Sequence, residues 1–79
     1  MNDAYAHTVK LDVSGTKCPV PLLRTKSMLK DLNTGDILEL ISTDPQTYND
    51  IIRFCDRGKY KVLDFVKTEM QYVFYIKKC

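Results

Sequence analysis

TVKLDVSGTKCPVPLLRTKSMLKDL, residues 8–32, decides the fold. Its first seven residues alternate: Val9, Leu11 and Val13 point one way, Thr8, Lys10 and Asp12 the other. That period of two predicts a strand over 8–14 with one buried face. From Leu22 the period changes. Leu22, Thr25, Leu29 and Leu32 recur at helical spacing, and the charged residues Arg24, Lys26, Lys30 and Asp31 fall mostly between them. Pro19 suits the first helical position, where a missing N–H has no partner to lose. Cys18 then falls at or beside the N-cap. Gly35 supplies the left-handed turn that closes the helix.

Working outward, DILELIS (36–42) is apolar on both faces except at Glu39, which predicts a central strand. Asp44-Pro45 opens a second helix with a capping carboxylate followed by a first-turn proline. Tyr48, Ile51, Ile52 and Cys55 are expected to form its buried face, and Gly58 to end it. YKVLDFV (60–66) and YVFYI (72–76) read as two strands of a hairpin closed by KTEMQ. The order is β-α-β-α-β-β. Right-handed crossovers put both helices on one face of a four-stranded mixed sheet, a two-layer α/β sandwich. Residues 1–7 are expected to form a flexible tail, and 8–79 a single domain.

Composition narrows the function. The chain has 79 residues, enough for one core but not for a deep two-lobed site. Twelve basic against ten acidic residues is too even a balance to imply nucleic-acid binding. No stretch approaches the ~20 apolar residues of a membrane span, and MNDAYAHTVK lacks the apolar run of a signal peptide. Three scattered cysteines do not form a disulfide framework. A cytoplasmic protein with reduced thiols is expected. There is no C-x-x-C, no Cys/His cluster for zinc and no phosphate loop, and the one histidine, His7, lies in the tail. No metal or organic cofactor is expected.

The remaining chemistry lies at Cys18. A cysteine at a helix start meets the positive end of the helix dipole, which favours thiolate. Pro19 and Pro21 stiffen the loop and lack N–H groups, leaving Val20 as the nearest helix donor for a sulfur anion. The dipole supplies about 0.3–1 kcal/mol, less than one pKa unit. Lys17, and Arg24 or Lys26 beyond it, would have to add to that. The expectation is a moderately activated thiol, which suits a sulfur that must both accept and leave.

These residues resemble the TusA family of sulfur carriers, also called SirA-like proteins. The resemblance is carried by Leu11-Asp12, Gly15, Cys18-Pro19-x-Pro21, Asp44-Pro45, Phe54-Cys55 and Tyr72-x-Phe74-x-Ile76-Lys77, over roughly residues 9–78. It implies that Cys18 accepts sulfane sulfur from a cysteine desulfurase or rhodanese-like donor and relays it as a persulfide to an acceptor protein. It implies sulfurtransferase chemistry by transpersulfidation, in tRNA 2-thiouridine synthesis or another branch of sulfur metabolism. One departure stands out. Many members carry Gly-His after the second helix, and here Tyr60 falls about where that histidine would be, as in the YedF-like subgroup.

Around Cys18, Gly15, Lys17, Pro19, Val20 and Pro21 are expected to form the supporting loop. Arg24, Lys26, Lys30, Asp44 and Pro45 are expected to form a partner-binding face, with the cations as a rim that steers an acidic partner. Asp44 is read chiefly as a helix cap, Cys55 as a core thiol and Cys79 as an exposed, incidental one. A monomer that contacts neither nucleic acid nor membrane is expected. The rival reading is a non-catalytic regulatory or RNA-binding module on the same scaffold, in which Tyr60, Phe65, Tyr72, Phe74 and Tyr75 would stack bases. A weaker third is a thiol redox sensor.

Overall fold

The computed structural model describes residues 8–79. The expected tail, residues 1–7, lies outside the described residues. The elements are β1 (Thr8–Asp12), α1 (Val20–Asp31), β2 (Ile37–Ser42), α2 (Gln46–Asp56), β3 (Tyr60–Lys67) and β4 (Tyr72–Lys78). The sheet order is β1-β2-β4-β3. β1 runs parallel to β2, whereas β4 is antiparallel to both β2 and β3. The sheet is mixed and four-stranded, with the two helices packed on one face, as the sequence pattern predicts.

β2 is central because its sequence allows burial on both sides. Leu38 and Leu40 face the helices and are fully buried, while Ile37 and Ile41 on the opposite face are nearly so. Glu39, the one polar residue on that opposite face, sits opposite Tyr75 and accepts a hydrogen bond from its hydroxyl at 3.2 Å. A charge there is tolerated because it is only partly buried and has a donor.

The core lies between sheet and helices. It joins Leu11 and Val13, Leu38 and Leu40, and Phe74 and Ile76 of the sheet to Leu29 of α1 and to Ile51 and Cys55 of α2. Fully burying one such aliphatic or aromatic side chain contributes roughly 1.5–3 kcal/mol. On β3, Phe65 packs against Phe74 at 4.8 Å and against Tyr48 at 4.9 Å between ring centroids.

Several local expectations need correction. Pro19 is the N-cap of α1 rather than its first residue, so Cys18 lies beside the N-cap as expected; Val20 is the first residue of the helix and Pro21 its second. The carbonyl of Pro19 accepts the N–H of Leu23 at 3.0 Å, the first helical bond. The buried face of α2 is Thr47, Ile51 and Cys55. Tyr48 is 40% exposed and Ile52 is half-buried. The small Thr47 is buried instead because its hydroxyl pairs with that of Ser42 at 2.7 Å, fixing which side of the helix meets the sheet. At the other end, Arg57 is the C-cap of α2 and Gly58 follows it directly, ending the helix as expected, without the positive φ found at Gly15 and Gly35.

Candidate functional site

β1 and β2 are parallel neighbours, so the loop that follows each emerges at the same end of the sheet. Cys18 lies in the first loop and Asp44 in the second. The two loops are tied together. Gly15, at φ +84°, turns the chain, and its N–H donates to Thr43 Oγ1 at 2.8 Å. The N–H of Cys18 donates to Asp44 Oδ2 at 2.7 Å. Asp44 Oδ1 accepts the N–H of Gln46 at 3.1 Å. One carboxylate therefore closes the start of α2 and fixes the backbone of Cys18. Pro45 occupies the N-cap position itself, so Asp44 reaches the helix from one residue further out.

Within its own loop the chain is equally constrained. Thr16 closes a turn on the carbonyl of Val13 through both its N–H and its hydroxyl. Val20 N–H donates to the carbonyl of Lys17 at 2.9 Å. That bond overturns the expectation that Val20 serves the sulfur, since its only backbone donor is spent inside the loop. The Cys18–Pro19 peptide is cis. Cys18 itself is exposed.

What the sulfur meets is a carboxylate. Cys18 Sγ donates to Asp50 Oδ2 at 3.3 Å. Asp50 stands one turn into α2, and it was missed in the sequence because it lies 32 residues away from Cys18. The signal that could have found it is the parallel β1–β2 pairing, which brings the starts of both helices side by side. The hydrogen bond to Asp50 is the largest influence on the thiol, followed by desolvation and the negative charges of Asp50 and Asp44; all raise its pKa above the ordinary thiol value. The expected activation of Cys18 is thus reversed in the free protein. A helix terminus of about 0.3–1 kcal/mol does not outweigh a carboxylate in contact with the sulfur.

The expected basic rim is split. Lys26 faces a shallow groove of about 240 Å³ between the helices, lined also by Leu22, Asp50, Arg53, Phe54 and Arg57. Its Nζ lies 5.4 Å from the centre of the Phe54 ring. Lys17 and Arg24 are exposed near the start of α1. Lys30 is in the last turn of α1, at the opposite end of the helix from Cys18, where Lys78 Nζ donates to the carbonyls of Lys30 and Leu32. The groove's other cations, Arg53 and Arg57, come from α2 and were not singled out in the sequence.

Tyr60 lies at the far end of the sheet, opposite Lys78 in the register and stacked on Phe54 at 5.1 Å. It takes no part in the surroundings of Cys18. The aromatic side chains of Tyr60, Phe65, Tyr72 and Phe74 pack against the core. Among the described residues of the sheet, that leaves Tyr75, engaged with Glu39, as the aromatic of the open face, which makes no base-stacking platform. Cys55 is 7% exposed and burial pushes its thiol up to about 11. Cys79 is exposed, its N–H held by the carbonyl of Lys59.

The fold and the site define a small two-layer α/β domain that presents an exposed cysteine on a braced strand-to-helix loop. Residues 9–78 match the sulfurtransferase TusA family, and the chain belongs to it. The sulfur carrier protein TusA of Pseudomonas fluorescens is 34% identical over 68 residues, covering 86% of this chain and 82% of that one. A protein of Methanocaldococcus jannaschii, provisionally named a sulfur carrier, is 41% identical over 69 residues, covering 87% of this chain and 92% of that one. The crystal structure of a SirA-like protein from Desulfitobacterium hafniense shares the fold, with a TM-score of 0.77 at 18% identity, covering 87% of this chain and 95% of that one.

Proposed function

We propose that this protein is a sulfur carrier and that Cys18 is the residue that bears the sulfur. A cysteine desulfurase or rhodanese-like donor presents a persulfide. Cys18 thiolate attacks its terminal sulfur, and the donor cysteine leaves as thiolate. The sulfur then rides as Cys18–S–SH until a cysteine of the acceptor attacks that terminal atom and Cys18 leaves in turn. Each transfer exchanges one S–S bond for another with no net oxidation. The relay serves tRNA 2-thiouridine synthesis or another branch of sulfur metabolism in the cytoplasm, and the carrier works as a monomer.

The observation that carries the reading is an exposed Cys18 on a loop whose backbone is anchored at Gly15 and Cys18 by side chains of the neighbouring loop. A partner's thiol reaches such a sulfur without moving the fold, and the loop loses little further freedom on docking. Gly15, Lys17, Pro19, Val20 and Pro21 hold the loop. Arg24, Lys26, Asp44 and Pro45, joined by Arg53, form the face that meets partners.

The test is mass spectrometry after incubation with a cysteine desulfurase and cysteine. The wild-type chain gains the mass of about one sulfur atom, as do Cys55→Ser and Cys79→Ala, whereas Cys18→Ser does not. Undiminished loading of Cys18→Ser would end the assignment.

A further inference from the structure

Asp50 stands where an activated thiol should have a cation. The residue is half-buried beside the groove between the helices, and its carboxylate accepts a hydrogen bond from Cys18 Sγ at 3.3 Å. Three cations line the same groove, Lys26 from α1 and Arg53 and Arg57 from α2. Asp50 nonetheless faces the sulfur. The other charged groups around Cys18 are Asp44, whose carboxylate already holds the Cys18 N–H, and the exposed Lys17 next in the chain.

We propose that Asp50 gates Cys18: its carboxylate holds the proton on the sulfur in the free protein, and the sulfur is freed for exchange when a cation of the docked partner draws that carboxylate away. A carboxylate is a far weaker base than a thiolate, so Asp50 does not take the proton; it makes losing it unfavourable. Small disulfides and oxidants, which bring no cation into the groove, meet a thiol. A partner that places a lysine or arginine against Asp50 meets a sulfur that ionises more readily. The gate rests on the carrier reading above and adds partner dependence to it.

The atoms balance simply. Cys18–SH gives its proton to water as the partner's cation pairs with Asp50. Cys18–S⁻ attacks the terminal sulfur of the partner's R–S–SH, the partner's S–S bond breaks, and R–S⁻ leaves and takes up a proton from water. No external oxidant or reductant is required.

The experiment measures the rate at which iodoacetamide alkylates Cys18 as a function of pH, with the modified site identified by mass spectrometry, in wild type, Asp50→Asn, Asp50→Ala and Asp50→Glu. The gate predicts severalfold faster alkylation of Asp50→Asn and Asp50→Ala at neutral pH, a midpoint moved to lower pH, and convergence with wild type once both are fully ionised. Asp50→Glu, which keeps the charge, should stay closest to wild type. Circular dichroism confirms that each variant is folded, and the use of two neutral substitutions guards against the failure of one. Unchanged or slower alkylation in the neutral variants would overturn the gate. Sulfur loading by the desulfurase, scored separately, keeps the two ideas apart. Normal loading with no alkylation shift removes the gate alone, and a clear shift without any loading removes the carrier reading.

Discussion

Asp44→Ala is the sharpest test of how the site is built. Its carboxylate accepts two backbone N–H groups, that of Cys18 at 2.7 Å and that of Gln46 at 3.1 Å. A hydrogen bond to a charged group contributes about 1.5–3 kcal/mol when sheltered. Asp44 is only half-buried, so water recovers part of that. Removal of a capping side chain costs about 0.5–2 kcal/mol. Together these put Asp44→Ala at about 1–3 kcal/mol of destabilisation, a large share of the roughly 5–10 kcal/mol that holds a domain of this size. Asp44→Asn retains one acceptor oxygen and should fall between wild type and Asp44→Ala. Urea unfolding measures the loss, and thermal unfolding should follow it by about 4–8 °C per kcal/mol. Amide hydrogen exchange then asks where the loss acts: the Cys18 N–H should lose protection. If Asp44→Ala unfolds within about 0.3 kcal/mol of wild type with the Cys18 amide still protected, the carboxylate is not the clasp argued here.

Two further outcomes follow from buried groups. Thr25 is fully buried and its hydroxyl has no hydrogen-bond partner among the described residues, so Thr25→Val should stabilise the fold by up to about 1 kcal/mol in urea unfolding. Cys55 carries a thiol raised to about 11 by burial. A folded pKa above the unfolded value contributes stability that is fully present below the unfolded thiol pKa and lost as pH rises through the folded one. Wild type should therefore lose more stability than Cys55→Ala between about pH 8.5 and 11, by at most about 1.4 kcal/mol per pH unit and less where water reaches the sulfur. Equal pH slopes would show that Cys55 ionises as readily folded as unfolded.

The order of elements, the central place of β2 and the position of Cys18 at a helix start were all legible in one dimension. Alternation in TVKLDVS, the apolar run of ILELIS and the helical spacing of Leu22, Thr25 and Leu29 are local signals, because each reflects which side of a single element meets the core. The family resemblance drew on the same kind of information, short motifs in a fixed order. Even the failure at Tyr48 was local: the apolar spacing named Ile51 and Cys55 correctly, and the Ser42–Thr47 hydroxyl pair turned the buried face toward Thr47 rather than Tyr48.

The electrostatics of Cys18 were not legible, since they depend on residues far apart in the chain. Counting neighbours along the sequence placed Lys17 beside the sulfur and predicted a moderately activated thiol. Folding placed Asp50 there instead, across 32 residues, because two parallel strands bring the starts of two helices together. Sequence by itself determined the elements and the presence of a braced cysteine, since periodicity, proline and glycine act within a few residues. Only the tertiary structure decided the charge that cysteine meets, since Coulomb forces and hydrogen bonds act through space and take no account of distance along the chain.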